Sequence, residues 1–185
     1  MTRLVVLVSI TLLLESIGLP QPVTGPLVNM MLFLTTLVLG PWAGVALGCI
    51  TPLAAALRGQ LPPALLPMVP FIIAGNALLV IFFAVCFSLF SKLWRIKDRS
   101  FFLPAQAAGI MAGSLVKFLW LYSAARFVLP LLFGVRLSKT VLVMMAAPQF
   151  VTAVIGGFAA VAVYTLLRKY AIVEINEHAA TGRLV

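Results

Sequence analysis

Six long apolar runs, separated by short breaks rich in proline, glycine and charge, constrain this chain more than any other feature of its sequence. The runs cover residues 4–19, 27–39, 43–57, 68–90, 101–133 and 139–167. A helix needs about 20 residues to cross the hydrocarbon core of a bilayer. Only 9% of the residues are charged and 63% are apolar, whereas soluble domains have about 25% charged residues. We therefore predict an all-α integral membrane protein, a six-helix transmembrane bundle.

The positive charges predict how this bundle is oriented. With six spans, eight of the thirteen Lys and Arg fall on the side that holds both termini, and the densest cluster lies at residues 92–99. Cytoplasmic segments carry an excess of Lys and Arg, so we predict an N-in, C-in topology. Residues 1–170 then form the membrane domain and residues 171–185 a polar cytoplasmic tail. The second and third runs are short, and a re-entrant pair is the alternative for them.

The same composition excludes several kinds of function. The one histidine, His178, lies in the polar tail, so no histidine-based metal site is expected within the membrane. Cys49 and Cys86 stand singly in apolar runs and are interpreted as packing groups. The chain lacks a phosphate-binding loop for ATP, and its four acids form no recognisable acid–base constellation. We expect no enzymatic activity and no cofactor. The net charge of +9 is assigned to topology and anionic lipid rather than to nucleic acid.

Five polar side chains from five predicted helices lie at a similar depth. They are Glu15, Asn29, Asn76, Lys117 and Gln149. With a rise of about 1.5 Å per residue, all five fall in the outer half of the bilayer. Polar and ionisable side chains within a membrane are costly and by default mark a site or a pathway. Their convergence predicts a substrate-binding site that faces outward.

Each of the five also has a purely structural interpretation, which the sequence leaves open. Glu15 and Lys117 can neutralise each other, Asn29 can cap the second helix, and Asn76 can bond a neighbouring helix. Gln149 follows a proline that frees a backbone carbonyl, and its side chain can satisfy that carbonyl.

Two further residues near this cluster are candidates for ligand contact. Trp120 can stack on a planar ligand, or it can belong to an interfacial aromatic belt. Arg126 can meet a substrate carboxylate, or its side chain can extend to the outer interface.

Glycines spaced by four residues stand at 44 and 48 and at 109 and 113. This spacing allows close helix contact. Packing within the chain is the default interpretation, and contact with a second membrane subunit is the alternative.

The segments 26–29, 39–44, 51–52, 58–59 and 70–76 resemble substrate-binding S components of energy-coupling factor (ECF) transporters. They read Pro-Leu-Val-Asn, Leu-Gly-Pro-Trp-Ala-Gly, Thr-Pro, Arg-Gly and Pro-Phe-Ile-Ile-Ala-Gly-Asn. The resemblance covers roughly residues 1–168. It implies a six-helix subunit of a prokaryotic plasma membrane that captures a vitamin or related small organic micronutrient. It also implies two kinds of partner, a transmembrane coupling subunit and two cytoplasmic ABC-type ATPases.

The chain departs from this family at its expected docking helix. Many members carry an A-x-x-x-A pattern on the first helix, whereas here Ser9 is the only small residue at a matching position. Ser9 is therefore our candidate for partner docking, and Gly44 and Gly48 of the third run are expected to contribute.

The sequence thus predicts capture of a small organic substrate. Lys117, with Arg126, favours an anionic or carboxylate-bearing molecule, with neutral hydrogen bonds from the amides of Asn29, Asn76 and Gln149. A zwitterion is equally compatible, because Glu15 can meet a substrate cation. The alternative function is that of a non-transporting membrane assembly or regulatory subunit whose polar cluster is structural.

Overall fold

The computed structural model describes residues 2–93, 102–134 and 137–169, and every regular element in these ranges is helical. The α-helices are α1 (Thr2–Ser16), α2 (Gln21–Leu39), α3 (Pro41–Leu57), α4 (Val69–Leu93), α5 (Phe102–Ser123), α6 (Leu129–Phe133), α7 (Lys139–Met144) and α8 (Ala147–Lys169). A 3₁₀ helix covers Pro63–Met68, and a π-helical turn covers Ala124–Val128. The predicted polar tail and most of the basic cluster at 92–99 lie outside the described residues. The all-α prediction is confirmed for the part described.

The long helices alternate in direction along the chain. Helices α4 and α5 are antiparallel, because Gly75 lies against Leu121 whereas Gly109 lies against Phe83. Helix α2 runs parallel to α8, with residue 25 beside residue 152 and residue 29 beside residue 156. The described chain therefore begins and ends at the same end of the bundle.

Glycines set the closest helix contacts. Gly44 and Gly48 of α3 face Thr36 and Leu32 of α2 as well as Asn76 of α4. Both glycines are buried inside the bundle. Their surfaces are used for packing within the chain, which is the default interpretation of this spacing, and their contribution to partner docking stays a prediction. Ser9, by contrast, is exposed on α1.

Three helix boundaries differ from the sequence prediction, each at a proline. Helix α2 begins at Gln21 and includes Pro22 and Pro26, so Asn29 lies in its third turn and does not cap it. The first N–H groups of a helix have no partner within it, which is why Pro22 is tolerated there. Before Pro130, helix α5 ends and the π-helical turn follows it. Before Pro148, the predicted sixth helix is interrupted and forms α7 and α8.

The surface of the bundle suits lipid. Four apolar segments are long enough to cross a membrane, namely Pro22–Leu39, Pro63–Leu93, Leu103–Leu131 and Val141–Lys169. Helix α3 is apolar but shorter, and the 15 residues of α1 span only about 22 Å. Large apolar side chains such as Leu57 and Leu131 are 88% and 84% exposed, an arrangement that a soluble protein rarely tolerates.

Two apolar clusters hold the bundle together. One lies between α2, α3, α4, α5 and α8 and contains Leu32, Phe33 and Phe83, with the two phenylalanine rings edge to face at 5.0 Å. The other joins the 3₁₀ helix, the end of α5 and α7 through residues such as Leu65, Leu121 and Met145.

Candidate functional site

A cavity of about 490 Å³ opens at the end of the bundle where α1 and α3 terminate. Its volume lies within the range of small-molecule sites, about 300–1,000 Å³. Its lining comes from every long helix and from the segment after α3. The lining residues are Glu15, Gly18, Leu19, Thr24, Gly25, Val28, Asn29, Thr51, Pro52, Ala55, Gln60, Leu61, Pro62, Leu65, Ile72, Asn76, Lys117, Met145 and Gln149.

The structure brings all five polar residues of the predicted convergence to this cavity. Lys117 is one of the residues that line the cavity, and it is only 4% exposed. Its Nζ atom donates to Oδ1 of Asn29 and to Oδ1 of Asn76, each at 2.7 Å. An ammonium group has three N–H donors, so one donor is left for a molecule in the cavity.

Both asparagines are held in place by their other amide atom. Nδ2 of Asn76 donates to the carbonyl of Gly48 at 3.1 Å, and Gly48 allows this approach because it has no side chain. Nδ2 of Asn29 lies 3.5 Å from Oγ1 of Thr152. The two amide oxygens are therefore directed toward Lys117 by contacts with α3 and α8.

Glu15 lies in the last turn of α1 and is 7% exposed. Its Oε2 atom is buried and has no hydrogen-bond partner among the described residues. The Lys117 ammonium is bonded to two neutral amides, which does not support the alternative in which Glu15 neutralises it. Arg58 at the end of α3 attracts the Glu15 carboxylate electrostatically.

Arg58 connects the ends of α1 and α3 beside the cavity. Its guanidinium donates to the carbonyl of Leu12 at 3.0 Å and to the hydroxyl of Ser16. A cation at the carboxyl end of a helix satisfies free carbonyl groups and interacts favourably with the helix dipole. This contact holds the end of α1, and with it Glu15, against the cavity.

Gln149 has a structural partner as well as a place on the cavity wall. Its Nε2 atom donates to the carbonyl of Met144 at 3.1 Å. That carbonyl is four residues before Pro148, which has no N–H to offer it. The amide nitrogen of Gln149 therefore satisfies the free carbonyl, as the structural interpretation predicts. The residue also lines the cavity.

Trp120 and Arg126 do not line the cavity. The indole Nε1 of Trp120 donates to the carbonyl of Phe71 at 2.9 Å. Arg126 is exposed, and its guanidinium lies 5.9 Å from the ring centroid of Phe127. Contact of Trp120 and Arg126 with the ligand therefore stays a prediction.

The sequence analysis missed Thr51, whose hydroxyl is buried without a hydrogen-bond partner among the described residues. Thr51 is 1% exposed and lines the cavity. It follows Gly48 by three residues on α3, and residues three and four apart share one face of a helix. That spacing was available in the sequence and places Thr51 on the same face as Gly48, the partner of Asn76.

The cavity combines a buried lysine, oxygen atoms that have no hydrogen-bond partner in the described part of the chain, and apolar walls. Within the described residues, no group of three His, Cys, Asp or Glu is placed to hold a metal ion. The arrangement is suited to hold a small organic molecule by a few directed hydrogen bonds and apolar contact.

Comparison with known proteins identifies the family. A model of the ECF transporter substrate-specific component matches residues 1–168, and no curated protein and no solved structure matches the chain. Members of this family are substrate-binding subunits of transporters rather than enzymes. They work with a transmembrane coupling subunit and ATPases. The chain therefore belongs to the substrate-specific components of ECF transporters and is a multi-pass membrane protein.

Proposed function

We propose that this chain captures a small anionic micronutrient, one that bears a carboxylate, in the cavity around Lys117. The chain then delivers the molecule inward with a coupling subunit and two ATPases. The observation that carries the proposal is the environment of the Lys117 ammonium, which is buried and bonded to two neutral oxygens. A buried cation without an anionic partner is costly, and a bound carboxylate removes that cost.

The cavity wall supports an organic rather than an inorganic anion. Apolar side chains such as Val28, Leu61 and Ile72 contribute to the wall beside the polar groups. Burial of apolar surface contributes roughly 25 cal/mol per Å², so a carbon skeleton adds binding free energy that a small inorganic anion lacks.

We propose six membrane spans with both termini in the cytoplasm of a prokaryotic cell, which directs the cavity outward. The alternating helix directions support an even number of crossings. We further propose that Ser9 and the apolar side chains near it on α1 face the coupling subunit. Val5, Val6 and Leu13 are at least half exposed on that helix.

The test is substrate binding by the Lys117→Met variant. A panel of water-soluble vitamins is first screened for thermal stabilisation of the purified protein, since a ligand that binds only the folded state raises its stability. The affinity of the stabilising compound is then measured by calorimetry. Removing a hydrogen bond from a charged group costs about 1.5–3 kcal/mol, so the affinity should fall roughly ten- to a hundred-fold.

Ser114→Ala is the matched control. Ser114 is buried on the same helix, one turn from Lys117, and its hydroxyl has no partner among the described residues. It does not line the cavity, so its variant should bind with normal affinity. Stabilisation by no compound, or equal affinity of Lys117→Met and wild type, would favour a structural role for the polar cluster in an assembly or regulatory subunit.

A further inference from the structure

We infer that the cavity contains a second recognition point, formed by Glu15 and Thr51, for a hydrogen-bond donor of the substrate. The predicted substrate class is then narrower than all carboxylate-bearing molecules. It is an amphoteric molecule that carries a carboxylate for Lys117 and an N–H or hydroxyl group for the two oxygens. This inference rests on the proposed function of Lys117.

The first observation is the state of the polar atoms around the cavity. The amide nitrogens of Asn29, Asn76 and Gln149 are engaged within the protein. The Oε2 atom of Glu15 and the hydroxyl of Thr51, in contrast, are buried and have no partner among the described residues. A buried polar atom without a partner destabilises the folded protein. Two such atoms on the wall of one cavity indicate a ligand group that satisfies them.

The second observation is the chemistry of these atoms. An ionised carboxylate only accepts hydrogen bonds, and a hydroxyl accepts as well as donates. The guanidinium of Arg58 attracts Glu15 electrostatically, but its hydrogen bonds go to Leu12 and Ser16 of α1. A ligand N–H or hydroxyl group can satisfy both atoms by donating to the Glu15 carboxyl group and to the Thr51 oxygen.

The third observation is their placement. Glu15 is on α1 and Thr51 on α3, and these two helices pack on each other and on α2. Lys117 is on α5, which packs on α4 and α8. The two acceptors and the ammonium thus lie on three different helices around one cavity, and α3 also packs on α4. A ligand that uses both must carry its anion and its donor on different parts of the molecule.

The experiment divides the vitamin panel into three chemical classes. Biotin and pantothenate carry a carboxylate together with N–H or hydroxyl donors. Nicotinate and lipoate carry a carboxylate without such a donor, and pyridoxine and thiamine carry no carboxylate. We expect thermal stabilisation by a compound of the first class. Tighter or equal binding of nicotinate or lipoate would overturn the inference and leave the proposed function intact. Binding of the third class alone, or of no compound, would contradict the proposed function itself.

Variants of Glu15 and Thr51 then test whether their oxygen atoms bind the substrate, separately from Lys117. Glu15→Gln should lower the affinity for the stabilising compound about ten-fold, because it removes a hydrogen bond to a charged group, which is roughly twice as strong as a neutral one. Thr51→Val removes a neutral hydrogen bond and should lower the affinity by about two- to ten-fold. Ser114→Ala, which also alters a buried hydroxyl without a partner, should leave the affinity unchanged. Unchanged affinity in Glu15→Gln and Thr51→Val, combined with a loss in Lys117→Met, would refute the second recognition point alone.

Discussion

Replacing Gly156 with alanine will separate α2 from α8 and disturb the cavity from a distance. A Cβ atom at this position would lie 2.5 Å from the carbonyl oxygen of Pro26 and 2.7 Å from the backbone nitrogen of Met30. Ordinary contacts begin at 3.4 Å. Because both neighbours are backbone atoms, they cannot rotate away, and α2 must move by about 1 Å.

That movement reaches the site through Asn29, whose Cβ atom would lie 2.8 Å from the added methyl group. The Asn29–Lys117 hydrogen bond is 2.7 Å long, and an extension of about 1 Å would break it. Overpacking of a core typically costs about 1–3 kcal/mol. We expect both a lower unfolding temperature and weaker binding of the compound that stabilises the wild type.

Gly75→Ala is the matched control. Gly75 is also a buried glycine in a helix, next to Asn76 in the chain, but its Cβ atom would meet only the side chains of Leu121 and Trp120 at 3.3–3.4 Å. Thermal unfolding of the two variants in the same detergent is the assay. Equal unfolding temperatures for Gly156→Ala, Gly75→Ala and wild type would refute the argument from helix spacing.

Two further predictions concern the helix break and the topology. Gln149→Leu should lower the free energy of unfolding by about 1–3 kcal/mol. The loss should be smaller in a Pro148→Ala background, because alanine restores the backbone N–H that proline lacks. A double-mutant cycle measures this difference, and an equal loss in both backgrounds would disprove the repair role. In a background without the native cysteines, a cysteine within residues 61–66 should react with an impermeant thiol reagent from outside the cell, and one at Asp98 only from inside. The reverse labelling pattern would overturn the proposed orientation.

The sequence predicted the depth of the polar residues but not their pairing. Depth follows from the helix rise and from the position of each residue in its run, and Asn76 and Lys117 do meet. Pairing depends on which helices are neighbours around the bundle, and hydropathy carries little information about that order. A pair of Glu15 and Lys117 therefore stayed an open alternative, whereas in the structure α1 packs mainly on α2 and α3.

Two differences between the sequence prediction and the structure had a signal in the sequence. Arg126 follows Lys117 by nine residues, which places it about 180° away on a regular helix, in agreement with its absence from the cavity lining. Helix α2 was predicted to start after Pro26 because prolines were interpreted as a break. Pro22 lies in its first turn, where proline is well tolerated.

The most direct test of the central claim is mass spectrometry of small molecules that co-purify with the wild-type protein and with Lys117→Met. The account predicts that one carboxylate-bearing compound is present in near-stoichiometric amount with the wild type and strongly reduced with the variant. Equal amounts of that compound with both proteins, or no compound enriched over a mock purification, would contradict capture of an anionic substrate at Lys117.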